Sequence, residues 1–168
     1  MGVLIQTSEV SYFSRLTDST TFADLAVLEL HRRGIERAQP VGAVVDGAEW
    51  CQSFIDYHYS EAVRILDHPH AAEHITQIGQ TTTPEGPLLS AAECARLRHN
   101  LKQKGPDGVL AELRALLEGQ AEQEEAAKAL AYLEKRQAQM QYPQFLAEGW
   151  PLGSGMVESG NKLVVRSG

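Results

Sequence analysis

The 168-residue chain carries 15 Lys and Arg against 22 Asp and Glu, a formal net charge of −7, with 43% hydrophobic and 22% charged residues. That balance belongs to a folded chain with one core; it excludes the disordered regime and argues against a basic surface that coats nucleic acid. No apolar run approaches the roughly 20 residues of a membrane-spanning helix, residues 1–10 lack the basic-then-apolar order of a secretory leader, and Cys51 and Cys94 form no C-x-x-C pair, so a reduced, cytoplasmic setting without membrane association is expected.

In chain order, residues 2–16 (GVLIQTSEVSYFSRL) read as a strand and its exit. Residues 18–34 read as a helix, with Thr21 and Asp24 resembling a capping pair, an apolar face of Phe22, Leu25, Ala26 and Leu28, and Gly34 as the stop. The run PVGAVVDG is short, continuous and closed by Gly47, as expected of a strand buried on both faces. Helical spacing of Trp50, Phe54, Ile55 and His58 follows, then a second apolar run, AVRILD, that ends at Asp67. Strand, helix, strand, helix, strand predicts an α/β fold with a parallel sheet.

After Pro69 the pattern changes. No further convincing strand is expected up to Met140; TTTPEGP and KGPDG are breakers, Leu110, Leu113 and Leu117 form one stripe, and EEAAKALAYLEKRQAQM is strongly helix-forming. The charged side chains of EQEEAAKALAYLEKR predict a solvated face with i,i+4 pairs. YPQFLAEGWPLGSG then leads through a loop to a last helix, MVESGNKLVV.

Three groups carry candidate chemistry. Asp46 ends an apolar strand before Gly47, where open parallel sheets place ligand sites, although an Asp there also caps a helix beginning at Ala48. Glu158 stands near a helix start, a position the helix dipole favours for any acid. The segment HAAEH, His70 to His74, matches H-x-x-E-H, in which two histidines hold zinc and Glu73 serves as base. That zinc metallopeptidase reading requires a third ligand from the helical block; the plain alternative is a helix beginning after Pro69 with histidines at its start. The GSG of residues 153–155 lacks the Lys of a phosphate-binding loop, and Ser154 does not sit in a G-x-S-x-G elbow. Tyr12, Phe13, Trp50 and Trp150 are too dispersed for a base-stacking platform.

The blocks SYFSRLTDSTTFADLAVLELHRRGIE, VVDGAEWCQSFID, RILDHPHAAEHI and LAYLEKRQAQMQYPQFLAEGWPLGSGMVESGNKLVV resemble, in order and over nearly the whole chain, a bacterial insertion-sequence DDE transposase of the ISKra type. The resemblance implies an RNase H-like core interrupted by an all-helical insertion: residues 1–74 as the N-terminal part of the core, 75–148 as the insertion, and 149–168 as the start of the last core helix. It implies Asp46 as the second catalytic acid and Glu158 as the third, both holding Mg²⁺ or Mn²⁺, with Asp67 and His70 as a D-x-x-H feature. DNA at transposon ends is the implied partner.

Family members carry their first catalytic Asp on an earlier strand and continue past the last helix through a basic stretch. The resemblance therefore implies a chain truncated at both ends, with an incomplete core, an open sheet edge and no activity alone. Self-association, or a regulatory pairing with full-length transposase, is the non-catalytic alternative.

Overall fold

The computed structural model describes residues 10–120 and 122–155. The expected first strand, residues 2–9 of the segment above, and Glu158 both lie outside the described residues.

Residues 10–18 have no regular structure and lead into helix α1, Ser19–Arg32. Its cap is Asp18 rather than the expected pairing of Thr21 with Asp24: Asp18 is extended, its Oδ1 accepts the Thr21 amide at 3.0 Å, and its Oδ2 accepts the Thr21 hydroxyl at 2.7 Å. An Asp three residues ahead of an exposed amide satisfies one of the orphan donors of the first turn, which a residue inside the helix cannot do. Gly34 stops the helix in the left-handed region, φ 77°.

Strand β1 (Gly42–Val45), helix α2 (Glu49–Tyr59) and strand β2 (Val63–Leu66) form one β-α-β unit. The strands are parallel, with Gly42 opposite Val63 and Val45 opposite Leu66. The chain is thus mixed α and β, with helices dominating. Ile65 and Leu66 are fully buried, but β1 is only half-buried, not covered on both faces as its apolar run suggested. The reason is where the core sits: among the described residues the buried cluster takes in Ile65 and Leu66 of β2, whereas Val44 of β1 packs only partly against it, and β1 has no second neighbouring strand.

Beyond the sheet come α3 (His68–Gly79), a short antiparallel hairpin of β3 (Thr82–Thr83) and β4 (Gly86–Pro87), α4 (Ala91–Lys104), α5 (Pro106–Leu117), α6 (Glu124–Lys135) and α7 (Tyr142–Ala147). The hairpin is the one strand pairing in a stretch read as strandless, and it lies within TTTPEGP. A full capping box starts α4, with Ser90 Oγ accepting the Glu93 amide and Glu93 accepting the Ser90 amide.

The leucine stripe is core, as its spacing predicted: Leu110 and Leu113 are buried and Leu117 is half-buried. One buried cluster runs from Ile65 and Leu66 of β2 through α3, α4, α5 and α6 to Tyr142 and Phe145 of α7. The helical block therefore shares its core with β2, and residue 75, the expected start of the insertion, falls inside α3. Leu113 sits in this core with no exposed surface. Leu113→Ala is expected to cost about 2–5 kcal/mol, read as a lowered urea midpoint with an unchanged slope.

Candidate functional site at the carboxyl end of the parallel strands

The register of β1 and β2 sets the next residue of each strand side by side. Val45 faces Leu66, and the ladder continues with the Asp67 amide donating to the Val45 carbonyl at 2.8 Å. Asp46 and Asp67 thus leave the carboxyl ends of two adjacent parallel strands, where open α/β sheets form their sites. Their surroundings differ sharply.

Asp46 is exposed. Its Oδ1 accepts the Ala48 amide at 3.0 Å and the Cys51 thiol at 3.6 Å, while its Oδ2 has no hydrogen-bond partner among the described residues. Helix α2 begins at Glu49, and its N-cap residue Ala48 makes no side-chain cap, so Asp46 braces the turn into the helix two residues ahead of the usual capping position. Burial, with the Asp46 charge beside it, pushes the Cys51 thiol up to about 12, so it stays protonated and is no nucleophile.

Helix α6 holds the turn from the other side. The Tyr132 hydroxyl donates to the Asp46 carbonyl, and the buried Arg136 donates to the Gly47 carbonyl through Nε at 3.0 Å and Nη2 at 2.8 Å. The same Nη2 reaches Glu49 at 2.8 Å, which Lys135 also meets at 2.6 Å. Those bonds, from Lys135 first, hold the Glu49 carboxyl below its ordinary range. Gly47 has φ 82°, and a Cβ there would run into the Tyr132 hydroxyl and Leu66, so only glycine lets α6 approach this closely. Part of the expected solvated face is real, since Lys128 pairs with Glu124 at 2.9 Å; Arg136 is the correction, because it is buried on the Gly47 carbonyl, 89 residues away, and on Glu49, partners that no local pattern reveals.

Asp67 is buried, and both its oxygens are occupied. Oδ2 accepts the His70 amide at 3.1 Å, capping α3, while Oδ1 accepts the Ser154 amide at 2.6 Å and the Ser154 hydroxyl at 2.9 Å. The His68 amide donates to the Leu152 carbonyl at 2.8 Å, and the buried Tyr142 hydroxyl donates to the Leu66 carbonyl at 2.8 Å. Asp67 is therefore the anchor of the loop that leads to residue 156 and beyond. The loop reaches the strand ends with Ser154 four residues ahead of Glu158, whose own position is outside the described residues.

His70 and His74 lie on one face of α3, with ring centroids 4.8 Å apart. His74 Nδ1 faces the His70 carbonyl at 3.0 Å, its ring stacks on Tyr132 at 4.3 Å, and His70 lies 3.8 Å from Glu73. Among the described residues no group of three or more His, Cys, Asp or Glu side chains is arranged to hold a metal ion. Sequence reasoning missed Tyr132, Arg136 and Ser154 as site residues; the sole advance signal was their presence in the same quoted blocks as the acids.

Comparison with protein-family models, curated proteins and solved structures finds no match.

Two outcomes follow from this geometry. The Cys51 thiol rises from 9.0, and the Tyr132 hydroxyl from 10.0, each to about 12 through burial and the Asp46 charge. Between those values the unfolded chain binds fewer protons than the folded one, so stability, whole below pH 9.0, falls as pH rises towards 12. Asp46→Asn should flatten that decline in denaturant titrations across the alkaline range. Second, Asp67→Ala strands the His70 and Ser154 amides and is expected to cost about 2 kcal/mol, against about 1 kcal/mol for Ser154→Ala, both by urea unfolding.

Proposed function

We propose that this chain forms part of the catalytic core of a DDE-type transposase, with an RNase H-like arrangement of strands, acting in metal-dependent cleavage and transfer of DNA strands. The observation that carries the reading is Asp46: an exposed acid at the carboxyl end of a parallel strand, its own carbonyl and the next one held by Tyr132 and Arg136, with one carboxylate oxygen unengaged among the described residues. The ordered sequence blocks suggest the family, and residues 75–148 would be its helical insertion.

The donor set fits a hard divalent cation, Mg²⁺ or Mn²⁺, at Asp46, whose Oδ2 is unengaged among the described residues. Glu158 is the second ligand implied by the sequence blocks. Asp67 does not fit as a ligand, because the His70 amide and the Ser154 amide and hydroxyl take both of its oxygens. Asp46 and Glu158 would hold such ions, whose chemistry would be Lewis-acid activation of the attacking hydroxyl and stabilisation of the leaving oxygen of a phosphodiester. The protein's own part is to orient. Tyr132 and Arg136 fix the Asp46–Gly47 turn, and Asp67 fixes the loop that precedes Glu158.

The resemblance implies Asp46 and Glu158 as the second and third acids of the family's set, and both are expected to contribute to metal binding. Mn²⁺ titration by electron paramagnetic resonance should show affinity reduced about tenfold or more by Asp46→Ala and by Glu158→Ala. Binding that neither substitution changes overturns the assignment. Mg²⁺-dependent nicking or strand transfer that vanishes in Asp46→Ala would support the class directly.

A further inference from the structure

Every large hydrophobic side chain that stands clearly exposed among the described residues lies between Val10 and Tyr57, and helix α1 carries the densest share. On α1 only Ala26 is buried. Its inner side is satisfied by Phe22, which packs on Phe13 at 5.4 Å and on Phe54 at 5.9 Å between ring centroids. Its outer side is not. Leu25 is 45% and Leu28 55% exposed, and at 3.6 residues per turn they share a stripe about 100° wide with Thr21, Asp24 and Arg32, all exposed.

The charges on that stripe say what fits it. Glu29 pairs with Arg33 at 2.7 Å and His31 with Glu36 at 2.6 Å, but neither Asp24 nor Arg32 has an ion pair among the described residues. These two charges, of which Asp24 also acts on His58 of α2, are of opposite sign and lie equally far along the chain from Leu28, one on each side. A pattern with an acid, an apolar centre and a base in that order is complementary to itself under a two-fold axis. A second helix of the same sequence, laid antiparallel with its Leu28 on this Leu28, brings Asp24 to the partner's Arg32 and Arg32 to the partner's Asp24. The helix dipoles then oppose, which is also favourable. A net charge of −7 works against indiscriminate clustering, so a surface-wide stickiness does not account for the pattern.

We propose that the outer face of α1 is a homodimer interface, an antiparallel helix pair with Leu25 and Leu28 at its centre and two Asp24–Arg32 pairs at its rim. This inference does not rest on the transposase reading.

Sedimentation equilibrium of the full 168-residue chain over a concentration series tests it. The expected result is a reversible monomer–dimer equilibrium that Leu28→Asp weakens about tenfold or more. Asp24→Arg and Arg32→Asp should each weaken it, and the double variant D24R/R32D should restore it. All three substituted positions are exposed, and circular dichroism with thermal melting checks that the variants fold. A chain that stays monomeric at its highest soluble concentration overturns the proposal and assigns the face to another occupant, residues 1–9 or a different protein. Association that is indifferent to Leu28→Asp, or a double variant no better than the singles, overturns it as well.

Discussion

The buried carboxylate of Asp67 is the interaction on which the described structure depends. One side chain ends β2, caps α3 and holds the Ser154 loop, so three chain segments converge on two oxygens. A buried charge is tolerated only when its lone pairs are satisfied, and here three donors, two of them backbone amides, do so. The arrangement also explains why a buried Tyr142, 76 residues away, donates to the carbonyl just before it: the return of the chain after α7 is fastened to the strand end at successive residues.

Asp46 answers to the opposite constraint. Its side chain is left in solvent while its backbone is gripped, by Tyr132 at its own carbonyl and by Arg136 at the next. An acid whose main chain is fixed and whose carboxylate is only partly engaged is suited to receive a ligand, whereas one whose carboxylate is fully engaged is suited to hold structure. Two aspartates at equivalent strand ends thus stand in opposite surroundings, one exposed and one buried, set by the donors that neighbour each. His70 lends its amide to Asp67, and His74 stacks its ring on Tyr132.

Much of the local structure was legible in the chain. Short apolar runs ending in Asp46 and Asp67 marked the two strands, Gly34 marked the end of α1, and the leucine spacing marked the core face of α5, because each depends on residues within a turn or two of one another. The misreadings also have local causes. Thr21 and Asp24 imitate a cap that Asp18 supplies, and the apolar run of β1 does not disclose that it lies at an edge.

The sequence by itself determined where helices and strands form, which leucines turn inward, and that two acids follow apolar strands. Those properties follow from side-chain period and from the preferences of Gly, Pro, Asp and Ser at element ends. Tertiary structure alone decided that Asp46 and Asp67 are neighbours, that one is open and the other spent, and that Arg136 is buried rather than solvated. The physical reason is separation: the donors that settle these questions come from 86 to 89 residues away, and no periodicity in the chain encodes which carbonyl a distant guanidinium or hydroxyl will find.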